Sequence, residues 1–213
     1  MIRVLLADDH KLVREGLKQI LAAAVDLRVA GEAASGDEAL ALARAHDYDL
    51  ALLDMSMPGL SGIDLIRRLR HEKPSLRILV LSMHGEQQYA ARALKAGAAG
   101  YLTKDSASEQ LVGAIRKVAA GGLYITAAAA ESLVSESAAG GEAAPHAALS
   151  DREFEVFRLL AGGRSPTEIA ERLHLSVKTV STHKARILQK LNLESTAALV
   201  RYALEHELLD DAR

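Results

Sequence analysis

Along the first 120 residues, short apolar runs alternate with segments whose apolar residues return every three or four positions. The runs are IRVLLA from Ile2, RVAGEA from Arg28, DLALLD from Asp49, RILVLS from Arg77 and GYLT from Gly100. Their length and mostly uninterrupted apolar character predict strands buried on both faces. Between them a 3.6-residue period marks helices, carried by Leu12, Leu17, Ile20 and Leu21, by Ala39, Leu40 and Ala43, and by Ile63, Ile66 and Leu69. The same period continues in Ala90, Ala93 and Leu94, and in Leu111, Ile115 and Val118. Five strands alternating with five helices predict an α/β fold, a doubly wound five-stranded parallel sheet with helices on both faces. In such a sheet ligands bind beyond the carboxyl ends of the strands, near a switch in strand order.

From Gly121 the pattern loosens. A helix-like piece around Ile125 to Val134 precedes SESAAGGEAAPHAA, which has glycines, a proline and no strong period, and reads as a linker. Beyond it only helical periodicity remains, in four short segments: Ser150 to Ala161, Pro166 to Leu173, Ser176 to Leu191 and Ser195 to Leu208. Gly162 and Gly163 suit the end of the first, and Pro166 suits a first helical turn. The expected division is a sheet domain over 1–120, a linker with a short helix over 121–148, and a small all-α domain over 149–213.

Composition changes this picture in three ways. A hydrophobic content of 49% over 213 residues supports two packed cores. The absence of cysteine excludes disulfides, thiolate zinc sites and cysteine nucleophiles together. No apolar run reaches the roughly 18 to 20 residues of a membrane span, and the start MIRVLLADDHKLVREG lacks the pattern of a secretory signal. A cytoplasmic protein with no membrane partner is expected. A net charge of −2 gives no general attraction to nucleic acid, yet five basic residues and no acid lie between Arg172 and Leu193, a local cationic stripe.

Laid on the sheet, Asp8 and Asp9 end the first strand, Asp54 the third and Ser82 the fourth, while Lys104 follows the fifth. All five face one edge. Three carboxylates so close repel one another, and a hard divalent cation among them relieves that repulsion, with magnesium the natural candidate because it also binds phosphate. Lys104 can pair with phosphate oxygens and Ser82 can donate a hydrogen bond. A carboxylate is a competent nucleophile toward a phosphoryl group, which makes Asp54 the candidate acceptor. Each residue alone has an ordinary explanation, as helix-terminal acid, turn residue, surface lysine or cap. Their coincidence at four strand ends favours the chemical one.

In the helical domain, SPTEIAERLHLSVKTVSTHKARILQKL reads as helix, short turn, helix. Ser165 with Glu168 forms a capping-box pattern, and Ser176 caps the next helix. Ile169, Leu173, Val177, Val180, Ile187 and Leu191 are expected to form the buried face. Lys178, Ser181, Thr182, Lys184, Ala185 and Arg186 face outward, an arrangement that fits a DNA major groove.

Residues 1 to about 120 resemble the receiver domain of bacterial response regulators, through LLADDH, LLDMSMPGLSG, ILVLSMH and GAAGYLTKD. The resemblance implies a flavodoxin-like sheet in the order 2-1-3-4-5. It implies that Asp54 accepts phosphate from a sensor histidine kinase. It further implies that Asp8, Asp9 and Asp54 hold Mg2+, helped by a backbone carbonyl near Ser56. Ser82 then moves toward the phosphoryl group and Tyr101 follows it inward, with the helix 4, strand 5 and helix 5 surface as the readout. His84 and Ser56 occupy positions that vary among receivers and influence phosphate lifetime.

The segment from Leu149 to Leu209 resembles the LuxR-type helix-turn-helix, through LSDREFEVFRLLAGGRSPTEIAERLHLSVKTVSTHKARILQKLNL. By that resemblance Lys178 and Arg186 touch phosphates, Ser181 and Thr182 lie nearest the bases, and His183 seats the recognition helix. His174 departs from the pattern, standing where many such turns have glycine, at some steric cost. Ala198, Leu199, Tyr202, Leu204 and Leu208 on the terminal helix suggest a homodimer when the protein is phosphorylated or bound to DNA. RNA polymerase would be a further partner.

The combined order resembles the NarL/FixJ class. It implies a phosphorylation-controlled transcription regulator that binds double-stranded DNA and catalyses only its own phosphoryl transfer and dephosphorylation. An aspartyl-nucleophile phosphatase of the haloacid-dehalogenase kind wants a second acid two residues after the nucleophile, where this chain has Ser56. No G-x-G-x-x-G follows the first strand and no Walker pattern occurs. A receiver working unphosphorylated, as a dimer module, is disfavoured because all five pocket residues are present.

Overall fold

The computed structural model describes residues 1–57, 60, 62–82, 87–126, 145–173, 175–206 and 208–209, with the backbone alone at 87, 88, 108, 147 and 151. The chain divides into two compact units, Met1–Gly140 and Gly141–Arg213. The first contains β1 (Ile2–Ala7), α1 (Lys11–Ala22), β2 (Leu27–Ala33), α2 (Gly36–Ala45), β3 (Leu50–Asp54), α3 (Gly62–Glu72), β4 (Arg77–Ser82), α4 (Gln87–Lys95), β5 (Gly100–Thr103) and α5 (Ala107–Ala119).

All strands are parallel, in the order β2-β1-β3-β4-β5. The chain runs outward from β1 to β2 and then returns to the other side of β1 as β3, so the switch in strand order lies between β1 and β3. Ala7 pairs with Leu53, which sets Asp8 and Asp54 side by side immediately beyond. Val4, Leu6, Leu50, Leu52, Leu79 and Leu81 pack with Leu17 and Leu21 of α1 and Leu111, Ala114, Ile115 and Val118 of α5. The alternate residues Leu5, Ala51, Leu53, Ile78 and Val80 are equally buried and point to the opposite face. Every residue of β3 is buried, as a central strand covered on both faces requires. At the start of α2, a Cβ on Gly36 would lie 1.4 Å from the carbonyl oxygen of Leu60. Only glycine lets the loop after β3 come this close.

Two expectations fail here. Leu12 is 88% exposed rather than packed; five residues separate it from Leu17, about 140° around the helix at 3.6 residues per turn, so the two do not share a face. Ile125 and Thr126 are not helical. Instead Tyr124 bridges Gly100 in parallel, its amide donating to Ala99 O at 3.0 Å while Tyr101 N donates to Tyr124 O at 3.0 Å. Residues 127–134 of that expected helix lie outside the described residues.

The second unit holds a 3-10 turn (Pro145–Ala148), α6 (Asp151–Ala161), α7 (Pro166–Arg172), α8 (Val177–Lys190) and α9 (Thr196–Glu205). Local chemistry fixes the ends. Ser150 with Glu153 and Ser165 with Glu168 form complete capping boxes, and Ser176 and Ser195 accept from Thr179 N and Ala198 N. Gly162 caps α6, and Gly163, at φ 81°, takes the left-handed conformation that reverses the chain. Phe154, Phe157, Ile169, Val180, Ile187, Leu199 and Ala203 are fully buried and form this unit's core. Among the described residues no helix is long and apolar enough to cross a membrane.

Candidate functional site

The pocket is built where β1 and β3 end. Asp54 closes β3 and is 3% exposed, and Asp8 follows β1 at 1%. Lys104 begins the loop after β5, where its amide donates to Ser82 O at 2.8 Å. That placement brings Lys104 Nζ to 2.7 Å from Asp8 Oδ2 and 3.0 Å from Asp54 Oδ2, one cation between two buried carboxylates. Asp8 Oδ1 accepts from His10 N at 2.8 Å, and Asp54 Oδ1 from Ser56 N at 3.4 Å. Asp9 is less enclosed, and His10 Nδ1 lies 2.9 Å from its Oδ1. Arg14 of α1 donates to the carbonyl of Asp8 from the side.

Burial pushes the Asp54 carboxyl above its ordinary range, Lys104 opposes that, and the like charge of Asp8 adds to it. For Lys104, burial works against the charge, but Asp54 and Asp8 outweigh it and raise the ammonium's pKa. Lysine therefore stays charged. Asp8 Oδ2, Asp9 Oδ1 and Asp54 Oδ2 are buried yet receive no well-directed hydrogen bond, although the first and last sit at ion-pair distance from Lys104. One ligand atom from each of Asp8, Asp9, His10 and Asp54 falls within 4.8 Å of the others. One ammonium facing three carboxylates leaves a net negative pocket, and an oxygen-rich donor set of this kind fits a hard divalent cation such as Mg2+.

In the second unit, Lys178, Ser181, Thr182, Ala185 and Arg186 are exposed on α8, and His183 and Lys184 are half-buried. Val180 and Ile187 anchor the opposite side at 0% exposure. Val177, expected on the buried face, is instead 45% exposed. It is the first residue of α8, and burial begins one turn later at Val180. Ser181 Oγ donates to Val177 O at 2.9 Å and Thr182 Oγ1 to Lys178 O at 3.0 Å. Lys190, counted in the cationic stripe, is engaged internally: its Nζ lies 2.6 Å from Glu153 Oε2 and 3.1 Å from Ala148 O. Burial pushes His183 below its ordinary range; Glu153 opposes this, and Arg152 and Arg186 reinforce it. A neutral imidazole suits a residue whose Nδ1 is enclosed without a hydrogen-bond partner.

Residues 4–116 match the response regulator receiver domain, and residues 147–203 match the luxR family of bacterial regulatory proteins. The response regulator UvrY of Escherichia coli K12 is 38% identical over 209 residues, covering 98% of this chain and 96% of its own. The oxygen regulatory protein NreC of Staphylococcus carnosus is 40% identical over 216 residues, covering 98% and 100%. Among solved structures, RcsB from Salmonella enterica serovar Typhimurium, bound to promoter rprA in the presence of phosphomimetic BeF3-, is 31% identical. It superposes with a TM-score of 0.58, covering 95% of this chain and 98% of that one. The chain belongs to the NarL/FixJ-type response regulators.

In this response regulator the residues singled out at the strand ends largely converge. Asp8, Asp54 and Lys104 touch, Asp9 flanks them, and Ser82 is joined through its carbonyl to the Lys104 amide. Tyr101 is 6% exposed on β5, opposite Val80, and alternation sets it on the same side of β5 as Thr103, which pairs with Ser82. Ser56 is exposed in the turn after β3. Two residues at the pocket are not among those singled out from the sequence. His10, whose imidazole joins the carboxylates, is legible as a metal-ligating type beside the Asp pair. Arg14 carries no signal, since its position depends on how α1 meets β1. Pro58, Gly59, His84 and His174 lie outside the described residues.

Proposed function

We propose that Asp54 is the phosphoryl acceptor of this response regulator and that its modification controls DNA binding by the helical unit. The observation that carries the reading is the Lys104 ammonium held between Asp8 and Asp54 at 2.7 and 3.0 Å. The Asp54 carboxylate attacks phosphorus of the phosphohistidine on a sensor histidine kinase; the bond from phosphorus to the histidine nitrogen breaks, and an acyl phosphate forms. Asp8, Asp9 and Asp54, with the Ser56 carbonyl, would hold Mg2+, which when bound neutralises charge on the transferring group. Lys104 pairs with a phosphoryl oxygen, and Ser82 donates a hydrogen bond to another. Tyr101 then moves inward. Water later cleaves the acyl phosphate, so the chain turns over only its own modification and has no other substrate.

In this reading residues 1–120 are the receiver, 121–148 the linker and 149–213 the DNA-binding domain. Lys178 and Arg186 contact phosphates, Ser181 and Thr182 the base edges, with Lys184 and Ala185 on the same face and His183 seating the helix. The exposure of Lys178, Ser181, Thr182, Ala185 and Arg186 on α8, opposite the buried Val180 and Ile187, supports this. Two chains would place two α8 helices in half-sites about one DNA turn apart, and Leu204 of α9, 61% exposed, supports a self-association surface. The setting is cytoplasmic, with RNA polymerase the further partner.

The test is incubation with acetyl phosphate and Mg2+, followed by intact mass measurement. One acid-labile phosphate is expected, and none on Asp54→Asn. Phosphate persisting in that variant refutes the assignment.

A further inference from the structure

Val177 has no place in the buried face of α8, and its side chain is the exposed apolar residue at the helix end that a major groove meets first. Resting on the proposal that α8 reads DNA, the geometry points to Val177 as a base-reading residue that packs on a thymine methyl, within a face of α8 that selects A·T pairs.

The argument follows from what α8 offers. Val177, Ser181 and Ala185 recur every four residues and so form one stripe, with Lys178, Thr182 and Arg186 beside it. The hydroxyl hydrogens of Ser181 and Thr182 are both donated to helix carbonyls, those of Val177 and Lys178. What remains toward solvent is acceptor lone pairs, and Val177 and Ala185 contribute only apolar groups. In the major groove an acceptor can pair only with the amino groups of adenine or cytosine, and an apolar side chain matches only the C5-methyl of thymine. Adenine's amino group and thymine's methyl belong to one base pair. Guanine presents two acceptors, for which this stripe has no donor. Charge complementarity comes from the flanking Lys178, Lys184 and Arg186, which position the helix on phosphates without choosing a sequence.

The experiment uses the full chain with acetyl phosphate and Mg2+. Duplexes are selected from a random pool, and each thymine of the selected site is then replaced singly by deoxyuridine, which lacks only the methyl. Affinities are read by fluorescence anisotropy. A single uracil should weaken binding about fourfold, the worth of one buried methyl. Val177→Ala, which removes the contact in both half-sites, should lose about fifteenfold on the thymine duplex and become indifferent to that uracil. Its melting temperature should be unchanged, because the removed methyls face solvent. A Val177→Ala protein that keeps the penalty at every uracil, or a wild type indifferent to all of them, overturns the inference. A pool with no enriched sequence, or a Lys178→Ala variant with unaltered affinity and salt dependence, would instead remove the recognition-helix reading and this inference with it.

Discussion

Replacing Lys104 by methionine keeps an unbranched side chain of similar reach and removes its charge. Both partners are almost fully buried, with side chains 1% exposed at Asp8 and 3% at Asp54, and Lys104 itself is 10% exposed. Removing one member of such a buried group costs about 3–5 kcal/mol, because the remaining charges stay desolvated and unpaired. The loss should depend on pH. Burial already raises Asp54, Asp8 adds to this, and Lys104 is what holds it down, so Asp54 rises further in the variant. A carboxyl with a raised folded pKa gives stability that is full below its ordinary value of 3.8 and is lost as pH rises through the folded value. The destabilisation should therefore be largest at pH 8 and shrink toward pH 5, by about 1.4 kcal/mol for each unit that Asp54 has moved within that window. Lys104 cannot produce this slope by itself. Its own pKa is raised from 10.5, so its contribution is constant through neutral pH and lost only in strong alkali. Mg2+ at about 100 times its Kd should return about 2.7 kcal/mol to a protein whose site it fits. Urea unfolding of wild type and variant at pH 5, 6.5 and 8, with and without Mg2+, reads all of this. A deficit equal at pH 5 and pH 8, or Mg2+ stabilising neither protein, would refute the reasoning.

Further outcomes follow from particular contacts. Glu72 is held at about 2 by Arg44 and Arg68, so its contribution is present above 4.5 and lost as pH falls through 2; Glu72→Gln should flatten that part of the acid-unfolding curve. Lys178→Ala should weaken binding to all duplexes and lower the slope of log affinity against log salt by about 1 per phosphate contact, measured by titration at several salt concentrations. Asn192 ends α8 at φ 52°. Its replacement by alanine should lower the helical unit's stability by about 1 kcal/mol in chemical denaturation, whereas glycine should be nearly neutral.

Local signals in the sequence were the reliable ones. The capping box at Ser165 needs only four residues, and it formed as written. The strands are legible because a strand buried on both faces is nearly all apolar, as Leu50 to Leu53 of β3 are. Strand order came from the resemblance, since periodicity does not say that β1 lies between β2 and β3. Lys104 could be placed at the right edge, yet its grip on two carboxylates depends on the backbone bond between β4 and the loop after β5. Spacing places Leu12 and Val177 on buried faces, but both lie in the first turn of a helix and are left exposed there. Lys190 belongs to the cationic stripe by sequence, yet its partner Glu153 is 37 residues away. Long-range pairing of this sort leaves no mark on local charge patterning.

Strand β5 links the pocket to the segment that leaves the first unit. At its carboxyl end Lys104 N is bonded to Ser82 O, and Thr103 Oγ1 lies 2.7 Å from Ser106 Oγ, at the entry to α5. On its outer edge Tyr101 N is bonded to Tyr124 O, and Tyr124 Oη donates to Gln110 Oε1 at 2.7 Å. A phosphoryl group on Asp54 that drew Ser82 toward it and shifted Lys104 to make room would have to stretch these bonds or carry their partners along. Each is worth roughly 1 kcal/mol net, and couplings between sites are typically about 1–3 kcal/mol. A few such bonds are therefore sufficient in energy to transmit the change. Because Tyr124 pairs with β5 through its backbone, a displacement of β5 would reach the segment after α5 directly, with no separate wire of side chains across the receiver required.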